Sequence, residues 1–390
     1  STSTTYNWQR KQKTKRSMTE ECPAPSTPPS RPVLPVEDPD SSWYILRESQ
    51  PFLTIPTKQE SSSTENQDIT RIACISDTHG KHRNIPIPKC DILIHGGDFT
   101  NTGEPEQVED MCRWFAELKE NGTVQHDIIC IAGNHDLTFQ PDHYVKCWRN
   151  FHVRPLDDAR ARRGMSNCIY LEDEGCTLKD ITVYGSPWQP EFYDWAFNLP
   201  RKDIHEVWSR IPADTDVLVT HGPPLGRGDR CEPHGNRAGC VDLLREVQHR
   251  PKPPRLHIFG HIHEGYGVSY DGNTMYVNAS SVTHGYSPDN PCIVIDLPKN
   301  VNESASLVVP GGCDMTAKEI LQWLGEHDCD SILPYFERAT PRLEGKDVIP
   351  PDGVLYEHVF KRLNINSDGY VAEGVRRALM RLRAELYQPK

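Results

Sequence analysis

Five short apolar runs, each stopped by a polar turn, set the pattern of hydrophobic and polar positions along this chain. The first lies within residues 71–79 and stops at Asp77 and His79. Runs of this length that end in turn residues predict buried strands. The other four end in His95-Gly96-Gly97-Asp98, Gly133-Asn134-His135-Asp136, Thr220-His221-Gly222-Pro223-Pro224 and Gly260-His261-Ile262-His263. Because chemistry in open α/β sheets collects outside the carboxyl ends of the strands, we expect the five ends to form one site.

The remaining periodicity predicts an α/β fold of two packed sheets with helices outside. Residues 104–119 predict a helix between the second and third strands, since apolar side chains recur there on one face. Further β runs are predicted at residues 168–171, 181–184, 268–270, 275–278 and 293–295. The sequence has neither Gly-x-Gly-x-x-Gly nor the lysine of a Walker loop, which argues against nucleotide binding by a Gly-rich phosphate loop.

Composition narrows the classes of function. The 390 residues carry 43 Lys+Arg and 55 Asp+Glu, a formal net charge of −12, which argues against general nucleic-acid binding through a basic surface. No apolar run approaches the roughly 18 residues of a membrane span, and no apolar signal segment lies near the N-terminus. Thirteen cysteines without a Cys-x-x-Cys pair fit reduced thiols in the cytoplasm rather than a zinc knuckle or a disulfide framework.

Residues 1–66 predict a disordered tail. Prolines crowd residues 23–39, interleaved with Ser and Thr, and such a composition cannot bury a core. A basic cluster at residues 10–16 fits either a solvated tail or a nuclear import signal. Residues 42–52 are apolar enough to dock on the main domain, and the sequence leaves that question open.

Side chains at the five strand ends are of the types that bind divalent cations. The expected ligands are seven residues: Asp77, His79, Asp98, Asn134, His221, His261 and His263. Oxygen and imidazole ligands without a thiolate suit Mn, Fe, Zn and similar ions. Seven ligands are too many for one ion, so they suit two ions that share a bridging carboxylate. Two ions roughly 3.5–4 Å apart clamp the attacking and leaving oxygens of a phosphoryl displacement and acidify a bridging water.

The same motifs resemble those of a known family. Their order and spacing are similar to those of the calcineurin-like metallophosphoesterases, and residues 69–298 resemble the branch of metallophosphoesterase domain-containing proteins, related to the class III cyclic-nucleotide phosphodiesterases. Phe197-Asn198-Leu199-Pro200 and the residues that follow His221 and His263 are typical of that branch. The resemblance implies the metallophosphoesterase fold, a two-sheet β-sandwich flanked by helices, in a domain of residues 67–300.

The resemblance also implies a role for each residue of the site. One metal would be held by Asp77, His79 and His263, the other by Asn134, His221 and His261, with Asp98 bridging the two. His135 would stabilise the phosphoryl transition state or protonate the leaving oxygen, and Asp136 would orient His135. Members of the branch that lack the first His of Gly-His-x-His are weak catalysts, so the presence of His261 favours an active enzyme.

The second motif bears on the substrate. Protein Ser/Thr phosphatases of the superfamily carry Gly-Asp-x-Val-Asp-Arg-Gly, whereas residues 97–103 read Gly-Asp-Phe-Thr-Asn-Thr-Gly. We therefore expect hydrolysis of a small phosphodiester, such as a cyclic nucleotide, by a hydroxide that bridges two metal ions, with manganese a candidate. The contrasting hypothesis is a metal-retaining but weakly active binding or scaffold protein.

Several other residues leave alternatives open. The aromatic side chains of residues 187–197 fit either stacking on a flat ligand group or packing against the domain. His95 fits either a contact behind the ligands or simple burial, and burial is favoured. Asn278 and His284, on late loops, are expected to border the pocket.

Residues 313–386 predict a small, separate all-α module. Ile320, Trp323 and Leu324 share one helical face, and Val375 and Ala378 lie on another. The segment resembles a sterile alpha motif domain, a type that binds protein partners or self-associates. The alternative is a helical appendage that stabilises or tethers the enzyme.

Overall fold

The structure is a computed structural model that describes residues 34–59, 68–231, 235–309, 317–326 and 331–338, together with residues 329, 363, 375 and 378. The elements below belong to the compact unit that begins at Pro35. In the described part of the chain, no helix is both long and apolar enough to cross a membrane.

Strands and short helices alternate along the chain. The strands are β1 (Thr57–Gln59), β2 (Ile69–Ile75), β3 (Cys90–His95), β4 (Val124–Cys130), β5 (Ile169–Tyr170), β6 (Glu174–Leu178), β7 (Ile181–Ser186), β8 (Gln189–Pro190), β9 (Asn198–Leu199), β10 (Val217–Thr220), β11 (Arg230–Cys231), β12 (Asn236–Arg237), β13 (Leu256–Phe259), β14 (Gly267–Tyr270), β15 (Met275–Asn278), β16 (Ile293–Pro298) and β17 (Ser306–Val309). The α-helices are α1 (Pro39–Leu46), α2 (Pro105–Glu120), α3 (Pro141–Cys147), α4 (Asp158–Gly164), α5 (His205–Trp208), α6 (Val241–His249), α7 (Ala317–Glu326) and α8 (Leu333–Arg338).

Two large sheets carry the fold. One has the strand order β1-β17-β16-β2-β3-β4-β5, and the other has the order β14-β15-β13-β10-β7-β6. Strands β2 to β5 are parallel neighbours, as are β7, β10, β13 and β15, so the carboxyl ends of each set lie at one edge of its sheet. The prediction of an α/β fold with two sheets flanked by helices is confirmed.

Alternation along the strands builds the layers. In β2, Ile72 and Cys74 join the apolar cluster that also holds Val217 and Val219 of β10, and this cluster fills the space between the sheets. Ala73 and Ile75 belong to the cluster that includes the apolar face of α2, on the outside of the first sheet. A third cluster packs α5 and α6 against the second sheet. The strand ends are therefore held by cores on both sides.

The prediction that residues 1–66 form a disordered tail is wrong for residues 38–59. Asp38 caps α1 by accepting the N–H of Ser41 at 3.0 Å, and Pro39 occupies the first turn. Strand β1 then adds a parallel edge to β17. Residues 1–33 and 60–67 lie outside the described residues.

The segment of residues 42–52 docks on the main domain. The guanidinium carbon of Arg237 lies 4.2 Å from the ring centroid of Trp43, and that of Arg227 lies 4.2 Å from the ring centroid of Phe52. A Cβ on Gly226 would lie 1.9 Å from the indole of Trp43, so glycine is needed there for the ring to pack. Each cation–π contact stabilises the docked segment by about 0.5–2 kcal/mol.

The predicted C-terminal module falls mostly outside the described residues. Helices α7 and α8 contact each other, and Ile320, Leu324 and Phe336 are buried. The likeness to a sterile alpha motif domain stays a prediction.

Candidate metal centre

The five predicted strand ends meet at one place. Three groups of side chains in the described chain each have donor atoms within 4.8 Å of one another: Asp77, His79 and His263; His79, Asp98 and His135; and Asp98, His221 and His261. The groups share His79 and Asp98, so they form one continuous cluster. The ends of β2, β3 and β4 supply one side of the cluster, and the ends of β10 and β13 supply the other.

Four of the expected ligands have a left-handed backbone. The φ angles are 51° at Asp77, 44° at His79, 54° at Asp98 and 68° at His261. Such conformations cost non-glycine residues about 1–3 kcal/mol each and concentrate at functional sites. Here hydrogen bonds between the loops hold them, since Asp77 donates its N–H to Gly97 O at 2.9 Å and His79 donates to Asp98 O at 3.0 Å.

Glycines beside the ligands make the cluster possible. A Cβ on Gly133 would lie 2.3 Å from Asp98 Oδ1, and a Cβ on Gly260 would lie 1.9 Å from Asp77 Oδ2. Neither glycine has a positive φ, so space and not backbone freedom requires them. The glycines at the strand ends therefore let ligands from different loops approach one another.

One half of the centre brings together Asp77, His79 and His263. The Nε2 atom of His263 lies 3.4 Å from His79 Nε2 and 3.5 Å from Asp77 Oδ1. The Asp77 carboxylate is fixed from behind, because it accepts the N–H of His261 at 2.9 Å and the hydroxyl of Ser280 at 2.9 Å. One oxygen of this carboxylate lies within 4.8 Å of a ring nitrogen of each of the two imidazoles.

The other half brings together Asn134, His221 and His261. His221 Nε2 lies 2.9 Å from Asn134 Oδ1 and 3.3 Å from Asp98 Oδ2. The same Asp98 Oδ2 lies 4.0 Å from His79 Nε2 in the first half. One carboxylate oxygen thus faces imidazoles of both halves, which is the position that a bridging ligand requires.

Backbone carbonyls set the tautomers of two histidines. His221 Nδ1 lies 2.9 Å from Gly96 O, and His263 Nδ1 lies 3.2 Å from Thr283 O. A carbonyl accepts only, so each Nδ1 carries the proton, and the Nε2 lone pair of the neutral ring points into the cluster. This is how metal-binding histidines are commonly oriented.

The charges of the cluster favour a cation. Burial would raise the pKa of Asp77, but a hydrogen bond with His263 lowers it below the ordinary carboxylate range. Burial would likewise raise the pKa of Asp98, but the charge of His221 lowers it below that range. Burial lowers the pKa of His261 to about 3. Burial would also lower the pKa of His221, but Asp98 raises it to about 9. A proton on His221 thus balances Asp98, and a divalent cation would displace that proton.

The donor set fits divalent ions of borderline hardness. Carboxylate, amide and imidazole donors suit Mn, Fe, Zn and similar ions, and no cysteine belongs to the three groups. The residues present are therefore suited to hold metal.

His135 lies beside the ligands with its ring held in place. Its backbone N–H donates to Asp98 Oδ1 at 2.7 Å, and its ring Nδ1 lies 2.7 Å from Asn101 O. Trp195 stacks on the ring with centroids 3.9 Å apart. Since the Asn101 carbonyl accepts a hydrogen bond from the Nδ1–H, Nε2 is the ring nitrogen left to interact with a ligand.

The predicted contact of Asp136 with His135 is not the arrangement in the structure. Asp136 instead accepts the hydroxyl of Thr100 at 2.7 Å, the N–H of Thr100 at 2.9 Å and the N–H of Gly133 at 2.8 Å. Burial, followed by the charge of Asp98, raises the pKa of Asp136 to about 8. Asp136 therefore ties together the loops after β3 and β4, and Asn101 O orients His135.

The aromatic loop packs some of its rings against the domain and leaves others exposed. Phe197 is buried, Trp188 donates its indole N–H to Asp173 at 2.9 Å, and Trp195 packs on His135. Phe192 and Tyr193 are 49% and 81% exposed. The loop thus packs against the domain on one side and presents two rings to solvent on the other.

Three further predicted residues have different positions. His95 is fully buried, with Nε2 3.0 Å from Thr78 Oγ1 and Nδ1 accepting the N–H of Gly97 at 3.3 Å, so it supports the turn before Asp98. Asn278 is buried and donates its side-chain amide to Gly228 O and Ile262 O, so it links the two loops that carry those carbonyls. His284 is largely exposed.

Sequence reasoning missed two residues of the site. Ser280 follows β15 and donates to Asp77, so the rule applied to the other strand ends would have found it. Tyr286 lies with its ring centroid 4.8 Å from that of His79 and 5.2 Å from that of His263. No local pattern marked it, because its loop reaches the site by tertiary packing.

Relatives and solved structures are similar to part of this chain. Metallophosphoesterase domain-containing protein 1 of Homo sapiens is 47% identical over 238 residues, which are 59% of this chain and 71% of that protein. A UPF0046 protein of Caenorhabditis elegans is 37% identical over 280 residues, or 67% of this chain and 68% of its own. The structure of a putative 5′-nucleotidase from Staphylococcus aureus has a TM-score of 0.36 at 13% identity, and the match covers 61% of this chain and 52% of that one. The structure of an archaeal phosphodiesterase has a TM-score of 0.29 at 13% identity, and the match covers 61% of this chain and 99% of that one.

A family model described as calcineurin-like phosphoesterase matches residues 70–265. The match begins within β2 and ends at Gly265, two residues after His263. It therefore includes all seven expected ligands.

Proposed function

Since the chain belongs to the calcineurin-like phosphoesterase family and is a metal-dependent phosphoester hydrolase, we propose that it cleaves a small phosphodiester, such as a cyclic nucleotide, at a centre of two divalent cations. The observation that carries the proposal is the position of Asp98 Oδ2, between imidazoles of two ligand groups. Asp77, His79 and His263 would hold one cation, and Asn134, His221 and His261 the other. Two bound cations would lower the pKa of a water and balance charge on the phosphoryl oxygens.

The protein's own groups have distinct tasks in this proposal. The carboxylates of Asp77 and Asp98 hold cations close together, while the buried neutral imidazoles add donors without adding charge. His135, stacked on Trp195, presents Nε2 to hydrogen-bond a phosphoryl oxygen or to protonate the leaving oxygen. The Asn101 carbonyl accepts a hydrogen bond from His135 Nδ1, and Asp136 accepts the N–H of Gly133, the residue before Asn134, so Asn101 and Asp136 are positioning residues.

A diester is favoured over a phosphoprotein by what the loop after Asp98 contains. Residues 99–103 carry no arginine, so this loop supplies no cationic partner for the dianionic phosphate of a monoester. A diester carries one negative charge fewer and needs less cationic help. The acidic balance of the whole chain, −12, also favours a small substrate over nucleic acid.

The test compares Asp98→Asn with Asp142→Asn, an exposed carboxylate on α3. After equilibration with Mn and removal of free metal, we expect near two equivalents of metal in the native protein and in Asp142→Asn. Asp98→Asn should retain less metal and lose at least about 100-fold of its activity on bis(4-nitrophenyl) phosphate, because a shared ligand serves both cations. Full activity in Asp98→Asn would refute the bridging role. Metal without turnover in the native protein would favour the scaffold hypothesis.

A further inference from the structure

Two partly exposed aromatic rings adjoin the metal centre, one beside each half. The ring centroid of Phe192 lies 6.1 Å from that of His261, and the two planes are 85° apart. The ring centroid of Tyr286 lies 4.8 Å from that of His79 and 5.2 Å from that of His263. His261 belongs to one proposed ligand group, and His79 and His263 belong to the other. Phe192 is 49% exposed and Tyr286 is 41% exposed.

Both rings are held in place by local structure. The side-chain amide of Asn198 donates to Phe192 O at 3.1 Å and to Tyr193 O at 2.9 Å, and Tyr193 has a φ of 48°. Tyr286 has a φ of 59°; it donates its N–H to Thr283 O at 2.8 Å and receives a hydrogen bond from the Lys81 ammonium at its carbonyl. A left-handed backbone at tyrosine is unfavourable, so these hydrogen bonds hold both loops in a conformation that the backbone would not otherwise prefer.

Neighbouring aromatic side chains pack against other residues or hydrogen-bond within the protein. Trp195 covers the face of His135, Phe197 is buried in the core, and Trp188 hydrogen-bonds Asp173. Phe192 and Tyr286 differ because a large part of each ring remains in contact with solvent beside the cluster. A planar ligand group placed against them would bury that apolar surface.

We propose that Phe192 and Tyr286 are two aromatic platforms that bind the two organic substituents of a phosphodiester, at least one of them a flat aryl or heteroaryl group. The inference rests on the proposed function, because the phosphorus atom must lie at the metal centre between the platforms. A diester has a substituent for each platform, whereas a monoester leaves one platform empty. The platforms thus select diesters by contact with both ester groups, in addition to any selection by charge.

The test uses three substrates with the same leaving group. Bis(4-nitrophenyl) phosphate offers an aryl group to both platforms, 4-nitrophenyl methyl phosphate offers one aryl group, and 4-nitrophenyl phosphate has no second substituent. Phe192→Ala and Tyr286→Ala are compared with Phe192→Tyr and Tyr286→Phe, which keep a ring. Tyr44→Ala, which removes a 68% exposed ring on α1, is the matched control. Metal content is measured for every variant.

We expect each alanine variant to lower kcat/KM for the bis-aryl diester by about 10-fold, or about 1.4 kcal/mol, with metal content unchanged. One variant, at the platform for the leaving group, should lower activity on both diesters equally. The other should lower activity on the bis-aryl diester and spare the methyl diester. The ring-keeping variants should lose much less activity than the alanine variants, and Tyr44→Ala should resemble the native protein.

Two outcomes would overturn the inference. Alanine variants that hydrolyse the bis-aryl diester at the native rate would show that the platforms do not bind it. An equal loss on all three substrates at both positions would show a general disturbance of the site. If the native protein hydrolyses no diester at all, the proposed function fails first, so the two failures are distinguishable.

Discussion

Replacing Gly260 by alanine tests whether the close approach of two loops is what builds the centre. A Cβ at this position would lie 1.9 Å from Asp77 Oδ2 and 2.2 Å from Ser76 Oγ. Carbon and oxygen atoms that are not bonded do not approach closer than about 3.0 Å, so one loop must move by 3.0 − 1.9 = 1.1 Å. Asp77 cannot turn aside freely, because Ser280 and the N–H of His261 hold its carboxylate.

The expected effect is large on function and moderate on stability. Misplacement of a reacting group by about 1 Å lowers rates by about 100-fold, and overpacking lowers the free energy of unfolding by about 1–3 kcal/mol. We therefore expect Gly260→Ala to lose about 100-fold of its activity and to bind Mn more weakly, while it remains folded. Hydrolysis of bis(4-nitrophenyl) phosphate, equilibrium dialysis with Mn and urea unfolding measure the three quantities.

Gly325→Ala is the matched control for that experiment. Gly325 lies in α7, and a Cβ there would meet no atom within 4 Å. Alanine in a helix is favoured over glycine by about 0.5–1 kcal/mol, so this variant should be slightly more stable and fully active. If Gly260→Ala binds Mn and turns over substrate like the native protein, the steric account of the strand ends is wrong.

Two further predictions concern stability. Trp43→Ala should lower the free energy of unfolding, measured in urea, by about 1–3 kcal/mol, since Arg237 and Gly226 lose their packing partner. Trp43→Phe should recover part of this loss. An unchanged free energy of unfolding in Trp43→Ala would refute the docking of residues 42–52. Burial lowers the pKa of His257 to about 3, below its ordinary value of 6.5. As the pH falls below 6.5, the unfolded state therefore binds a proton that the folded state does not, and the free energy of unfolding decreases until the pH reaches about 3. Between pH 6.5 and 5 the loss of free energy of unfolding is about 2 kcal/mol, and His257→Leu should remove this part of the pH dependence measured by urea unfolding.

The strand ends could be predicted because their signals are local. In β2 and β3 the apolar run, the turn residues and the ligand side chains lie within ten residues of one another, so a reader of the sequence sees them together. Edge strand β6 lacks that advantage. Its side chains, from Glu174 to Leu178, are exposed or half-buried, and only Cys176 and Leu178 alternate as apolar positions, which is too short a pattern to predict a strand.

What the sequence could not predict depends on tertiary contacts. Asp136 follows the predicted ligand motif, but its partner Thr100 lies 36 residues earlier, and only the fold brings the two loops together. Trp43 lies in a segment beside prolines and serines, and its ordering depends on Gly226 and Arg237 in a distant loop. In both cases local composition indicated one outcome, and long-range packing determined another.

The centre lies across the junction between the two sheets, and hydrogen bonds already tie its halves together. Asp77, after β2, accepts the N–H of His261 after β13, while His221, after β10, donates to Gly96 O after β3. These hydrogen bonds offset the free-energy cost of the left-handed backbone at the ligands. A cation bound by both halves would link the same two sheets as these hydrogen bonds do. Because the cation binds only the folded state, it would stabilise the packing of one sheet on the other. Loosening either sheet near these loops should therefore weaken metal binding without any change in the ligands themselves.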